Sequence, residues 1–173
     1  MRFRFLLAFA LAACKPAPAP PASPPAAEPP AAQQSEPNTT RLTGPLATGQ
    51  WFARSEEGTH AAGFGVPESE YQFVLSCTAG SGALSVMAAH ELMPDQATTL
   101  SILTANARVD LPARSFNEGL PSINADLADE SAEKAALTAA LAPPQERFAV
   151  EAAGDIAIYP WDESLARVLA ACA

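Results

Sequence analysis

The sequence is poor in basic residues, with 10 Lys and Arg against 19 Asp and Glu in 173 residues. The formal net charge is −9. Nucleic-acid binding needs clusters of Lys and Arg that displace the counterions of the phosphates. The lack of such clusters excludes DNA and RNA as expected partners.

Residues that carry common catalytic and metal-binding chemistry are also scarce. The only histidines are His60 and His90, and neither lies in a spaced zinc-binding pattern. The glycines between positions 58 and 65 have no lysine near them, as a phosphate-binding loop would, and Gly80-Ser81-Gly82 lacks the frame of a nucleophile elbow. We therefore predict no catalytic residues, no metal site and no cofactor.

Long apolar runs are missing as well. Near the N-terminus the run from Phe5 to Ala13 has nine residues, whereas a helix needs about 20 to span a bilayer. Arg2 and Arg4 precede the run, and small residues end it, which is typical of a secretory signal. We expect residues 1–13 to be a signal peptide.

The segment Leu11-Ala12-Ala13-Cys14 resembles the lipobox of bacterial lipoproteins. The resemblance covers only the first 14 residues. It implies that the Cys14 thiol receives a diacylglycerol, that the chain is cut before Cys14, and that the new amino group is acylated. Several acyl chains, such as palmitate, anchor a protein far better than one. The alternative is a cleavable signal with an incidental cysteine.

Lys15 follows the cysteine, where an Asp would favour the inner membrane in this family. The resemblance thus implies a cell-envelope protein, lipid-anchored in the outer membrane and facing the periplasm.

A proline-rich segment separates the signal from the rest of the chain. From Lys15 to Asn38 there are nine prolines and seven alanines in 24 residues, and no large apolar side chain. Such a segment cannot build a core, and its prolines favour extended polyproline II. We predict that residues 14–40 are the lipidated Cys14 and a disordered Pro/Ala-rich tether, and that residues 41–173 form one β-rich globular domain.

Residues 41–173 consist mostly of short runs with period-2 alternation, which indicates strands. The predicted strands are Trp51–Ser55, Ala61–Val66, Tyr71–Cys77, Ala83–Ala88, Thr98–Thr104, Ala107–Leu111, Ser122–Leu127, Arg147–Ala152 and Asp155–Tyr159. Two segments with acidic starts, Asp129–Leu141 and Asp162–Cys172, are predicted helices. The expected fold is mainly β (α+β): a β-sandwich or small open barrel of about 7–9 strands in a meander, with an inserted helix and a C-terminal helix.

Cys77 and Cys172 are the two cysteines outside the lipobox. Alternation places Cys77 on the same face as Tyr71, Phe73 and Leu75. Cys172 ends the apolar stripe of the last predicted helix. Both sulfurs therefore face the core in an oxidising compartment, which favours a Cys77–Cys172 disulfide; the alternative is that both are free buried thiols.

The function we expect is a non-catalytic binding domain held at the membrane by its lipid anchor, with another envelope protein or polymer as its partner. Residues 41–173 hold 17 acids against 7 bases. This excess could steer a cationic partner or serve solubility alone.

An alternative comes from the membrane-bound lysozyme inhibitors, which the chain resembles in its lipobox, small acidic β-domain and single disulfide. The hairpin Tyr71–Cys77 with Ala83–Ala88 is similar to their first hairpin. Their Ser-Gly-x-x-Tyr pattern is absent, because Ser81-Gly82 is followed by Ala83, Leu84 and Ser85. No inhibitory residues are therefore carried over, and the resemblance implies an inhibitor of a cationic cell-wall hydrolase.

A third possibility is a glycan-acting enzyme. Its acid pair would come from the acidic clusters Glu56-Glu57, Glu68 with Glu70, and 126–133. Such clusters are more often turns, helix starts and solvated surface.

Overall fold

The computed structural model describes residues 38–173, which belong to one compact unit. A short 3-10 helix, η1, covers Asn38–Leu42. Nine strands follow: β1 Gln50–Glu56, β2 Thr59–Gly65, β3 Tyr71–Thr78, β4 Leu84–Ala89, β5 Ala97–Leu103, β6 Arg108–Phe116, β7 Ser122–Leu127, β8 Arg147–Ala152 and β9 Asp155–Pro160. Helix α1, Ala132–Leu141, lies between β7 and β8 in the chain, and helix α2, Glu163–Ala171, follows β9.

The nine strands form a single antiparallel sheet in the order β1-β2-β3-β4-β7-β6-β5-β8-β9. The sheet curls into a half-barrel, so the open-barrel form of the predicted fold is the one observed. The mainly β class, the inserted helix and the C-terminal helix are confirmed.

The strand order departs from the predicted meander. After β4 the chain crosses to β5 and returns through β6 to β7, which pairs with β4. Period-2 alternation shows which residues form a strand but not which strand lies beside it, because pairing depends on contacts distant in sequence. Strand β6 also extends five residues beyond its predicted end at Leu111.

The concave face of the sheet carries the core. Alternate residues along each strand are buried there, as in β3, where Phe73, Leu75 and Cys77 are at most 1% exposed. Five aromatic rings meet inside the curl, with successive centroids 5.2–6.3 Å apart: Trp51, Phe64, Phe73, Phe148 and Tyr159. These rings come from β1, β2, β3, β8 and β9, so they join the two ends of the strand order.

The two edge strands, β1 and β9, approach each other closely. The Trp51 indole donates a hydrogen bond to the Pro160 carbonyl at 2.9 Å. Just before β1, the Ala47 N–H donates to the Ile158 carbonyl at 2.7 Å. Both bonds use carbonyls of β9, so they leave fewer groups on that edge free to pair with another chain.

Helix α2 packs against β1, β2 and β3, and α1 packs against β6. Each begins at a capping residue, Asp162 for α2 and Ser131 for α1, whose side chain accepts a backbone N–H of the first turn. A disulfide joins Cys77 of β3 to Cys172 at the end of α2, with Cα atoms 5.9 Å apart. The pairing expected from the faces of the two cysteines is therefore present.

Two hairpins have two-residue turns in which both residues have positive φ. They are Glu57-Gly58 between β1 and β2, and Ala153-Gly154 between β8 and β9. This turn type matches the right-handed twist of the paired strands. In the described part of the chain, no helix is long and apolar enough to cross a bilayer.

Candidate functional site

Because neighbouring strands run in opposite directions, their connections collect at two ends of the half-barrel. One end, here called the loop end, carries residues 66–70, 90–96, 117–121 and 153–154. The opposite end carries α1 and the start of α2, and η1 packs near it, where Arg147 donates to the Leu42 carbonyl. The chain therefore enters the described domain away from the loop end.

Specific hydrogen bonds hold the loop end together. The His90 N–H donates to the Pro121 carbonyl at 3.0 Å. The Asn117 amide donates to the Leu92 carbonyl at 2.8 Å, and the Ser115 hydroxyl donates to the Met93 carbonyl. These bonds tie the segment 90–96 to the β6–β7 loop, so the surface has a defined shape.

The loop end is acidic. It carries six exposed carboxylates and no Lys or Arg in its four loops; the acids are Glu68, Glu70, Glu91, Asp95, Glu118 and Asp155 at the start of β9. An excess of carboxylates at one end of the molecule makes the local electrostatic potential negative, which attracts cations.

The loop end also exposes apolar side chains. Of five large hydrophobic side chains exposed in the described residues, four lie here or on the adjoining strand ends: Val66, Met93, Phe116 and Ile156. Met93 is the most exposed, at 73%. The fifth is Leu46, which precedes β1. Grouped exposed hydrophobics are a feature of binding surfaces, whereas scattered ones need no explanation.

Inside the curl, the loop end opens into a small cavity of about 180 Å³ between β4 and the β8–β9 hairpin. His90 and Asp155 lie at its rim, with Nδ1 and Oδ2 3.9 Å apart. Its walls include Ala88, Ala152 and Ala157. Ligand pockets usually measure about 300–1,000 Å³, so this mouth is too small for a sizeable ligand.

A larger cleft of about 520 Å³ lies on the convex side, where β6 and β7 separate. We call it the β6–β7 cleft. It is lined by Asp95, Ala97, Thr98, Pro112, Ala113, Arg114, Ser115, Phe116, Asn124 and Asp126. Arg114 donates from Nη1 to the Asp95 carbonyl at 3.0 Å, which fixes one wall.

Two carboxylates, Asp95 and Asp126, line the β6–β7 cleft, and both side chains are exposed. A glycosidase acid donor lies instead in an apolar, desolvated setting. The geometry is thus better suited to binding charge than to donating a proton.

A third pocket, of about 210 Å³, lies between α2 and the β1–β2 hairpin. His60 Nδ1 and Ser55 Oγ are 3.0 Å apart there, and the buried Ser164 hydroxyl has no hydrogen-bond partner. A nucleophilic Ser–His pair needs a third group to orient the base. Among the described residues no carboxylate lies within hydrogen-bonding distance of His60.

The other predicted site residues are distributed as follows. Glu56 and Glu57 lie at the β1–β2 turn, Glu68 and Glu70 lie in the loop end, and the cluster 126–133 covers the end of β7 and the start of α1. Cys14 lies outside the described residues. No group of three His, Cys, Asp or Glu side chains within 38–173 is arranged to hold a metal ion.

Sequence reasoning missed both the loop end and the β6–β7 cleft. Four loops far apart in the chain meet only because the sheet curls, and no local pattern signals that. Pro112 within a strand pattern was the one available signal for the cleft, since proline in a strand marks an edge or an interrupted ladder.

Comparisons of the chain with protein-family models, with curated proteins and with solved structures found no match.

Proposed function

We propose that this protein is a cell-envelope lipoprotein, anchored in the outer membrane through Cys14, whose β-domain binds an envelope protein or polymer without catalysis. The observation that carries the binding role is the loop end, which combines six exposed carboxylates with four exposed large hydrophobic side chains. Apolar contacts surrounded by charge are the usual composition of a transient protein interface.

The position of the loop end supports this role. The chain enters the described domain near the opposite end, where η1 packs outside β8. A partner bound at the loop end would therefore leave the contacts of η1 with β8 undisturbed.

The anchor is tested by expressing the full chain in a Gram-negative host with radiolabelled palmitate. We expect the wild type to incorporate label and to sediment with outer membranes, and Cys14→Ala to lose both properties. The Cys77→Ala/Cys172→Ala variant is the matched control, because it removes two cysteines and keeps Cys14. An unlabelled wild type would contradict the anchor.

The binding role is tested by photo-crosslinking in intact cells. A photoreactive amino acid at Met93 should give a discrete adduct with an envelope component. The same group at Ala170, which is exposed on α2, should give none. Equal adducts at the two positions, or none at Met93, would contradict a partner at the loop end.

A second candidate function is inhibition of a cationic cell-wall hydrolase, and the acidity of the loop end favours it. The full chain, purified in detergent, would then slow a lysozyme assay in proportion to its concentration. Glu68→Lys and Glu118→Lys should each weaken the effect, and Glu130→Lys, outside the loop end, should not. No inhibition at excess protein would leave only the general binding role.

A further inference from the structure

The ladder between β6 and β7 is interrupted. These strands pair at three positions only, from Arg114 with Asn124 to Phe116 with Ser122. On its other side β6 pairs with β5 at seven positions, and β7 pairs with β4 at six. Beyond Asn124, therefore, β6 and β7 each keep one partner and separate from one another.

Pro112 explains where the pairing stops. The Ser115 N–H donates to the Gln96 carbonyl, so the backbone of Ser115 faces β5. Because the backbone groups of successive residues point to opposite sides of a strand, Pro112 faces β7. Proline has no N–H, so β6 offers no donor to β7 at this position.

The residue across the gap is Asp126. Continuing the register of Arg114 with Asn124 by two residues brings Pro112 opposite Asp126. The His90 N–H donates to the Pro121 carbonyl, so residues 121, 123 and 125 face β4, and residue 126 faces β6. The backbone N–H and carbonyl of Asp126 thus point into the β6–β7 cleft.

The walls of the cleft complete a peptide-binding geometry. Pro112, Ala97 and the half-exposed Phe116 give apolar contacts. Asp95 and Asp126 give two exposed carboxylates at the rim. The basic residue of the lining, Arg114, donates from Nη1 to the Asp95 carbonyl, so the carboxylates outnumber it two to one. The volume of about 520 Å³ is within the usual range for a bound ligand.

We propose that the β6–β7 cleft binds an extended peptide segment that carries basic side chains, and that the segment pairs its main chain with Asp126. An added strand gains affinity from main-chain hydrogen bonds and specificity from alternate side chains. A basic side chain would lie beside Asp126, whereas an acidic one would meet two carboxylates. This inference rests on the proposed binding function and names the form of the partner segment.

The probe is a fluorescent nine-residue peptide in which Thr and Lys alternate, so that all lysines lie on one face of the extended chain; it is titrated against the full chain in detergent. We expect saturable binding to this peptide. Replacing its lysines with glutamates should weaken binding at least about tenfold, because like charges then oppose each other. N-methylating alternate backbone nitrogens should abolish it. Equal binding of the Glu peptide, or of the N-methylated peptide, would overturn the proposal.

Two variants of one residue separate charge from main-chain pairing. Asp126→Ala removes the carboxylate and keeps the N–H, and should weaken binding several-fold. Asp126→Pro also removes the N–H that faces the cleft, without touching the bonds of Ala125 and Leu127 to β4, and should abolish binding. If Asp126→Pro binds as well as Asp126→Ala, main-chain pairing is wrong.

Pro112→Thr gives a test in which Asp126 is unchanged. The new N–H can complete the ladder to Asp126 and close the cleft, so peptide binding should be lost while the fold becomes no less stable. Retained binding would overturn the proposal. If the wild type does not bind the peptide but the Met93 photoprobe still forms its adduct, this inference is wrong and the proposed function stands. If the Met93 photoprobe forms no adduct, the proposed function itself is wrong.

Discussion

At the residue scale, Lys134 is the only charged side chain that is buried within the described residues, at 8% exposure. Its ammonium group donates to the Cys172 carbonyl at 2.6 Å and to Asp129 Oδ1 at 2.5 Å. The first bond satisfies a carbonyl at the C-terminal end of α2, where a cation also complements the helix dipole. One side chain thus fastens α1 to the end of α2.

We expect Lys134→Met to lower the free energy of unfolding by about 1–3 kcal/mol, because the Cys172 carbonyl loses its buried donor. Arg167→Met is the control. The ion pair between Arg167 and Glu163 is exposed, and exposed ion pairs contribute at most about 1 kcal/mol to the free energy of unfolding. Urea unfolding of both variants checks the prediction. Equal losses of unfolding free energy in the two variants would contradict a larger contribution from the buried bond.

Tyr159 gives a pH-dependent prediction at the same scale. Burial raises the pKa of Tyr159 from 10.0 to about 12. The folded state thus holds the phenolic proton more tightly than the unfolded state, so this contribution to stability is complete below pH 10 and is lost as the pH rises to about 12. Its size is roughly 3 kcal/mol.

Urea unfolding between pH 9 and pH 12 should therefore show a steeper loss of stability for the wild type than for Tyr159→Phe, which has no phenol to ionise. Parallel curves for the two proteins would contradict the assignment.

At the element scale, nearly all strands and both helices follow from local pattern. Ser122–Leu127 and Arg147–Ala152 match their predicted bounds, because clear alternation ends at turn residues on both sides. Strand β6 runs past its predicted end through Pro112, and proline misled the prediction because it normally breaks a strand. Here Pro112 is tolerated because its nitrogen faces the gap rather than β5.

The disulfide is the clearest energetic link between elements, since it closes 95 residues of chain between β3 and α2. Replacing both cysteines, as Cys77→Ala/Cys172→Ala, should cost about 2–5 kcal/mol, mainly through a less constrained unfolded chain. Dithiothreitol should destabilise the wild type by a similar amount and leave the variant unchanged. A wild type that is insensitive to the reductant would contradict this role.

At the scale of the whole molecule, closure of the half-barrel depends on contacts between the two sheet edges. Trp51 bridges them through its hydrogen bond to Pro160 and its ring contact with Phe148, whose centroid is 6.3 Å away. Trp51→Phe should keep most of the ring packing but lose the hydrogen bond to Pro160, which should lower the free energy of unfolding by about 1 kcal/mol. Faster amide exchange at Ala47 should accompany the loss, because the edges separate more readily.

Trp161→Phe is the matched control for closure. It removes an indole bond of similar length, 2.8 Å to the Leu141 carbonyl, that holds α1 rather than the sheet edges. Its stability loss should be similar, but exchange at Ala47 should stay at the wild-type rate. Faster exchange in both variants would mean that closure is not specific to Trp51.

The sequence by itself determined the class of the elements, the approximate bounds of most of them and the facing of the two cysteines, because these depend on residue type and spacing within a few turns of chain. Composition likewise distinguished the proline-rich segment, which has no large apolar side chain, from a domain able to build a core. Only the tertiary structure decided the strand order, the curl, and the meeting of four loops at one acidic end. Those features depend on which distant residues pair, and the gap opposite Pro112 exists only once β6 lies beside β7.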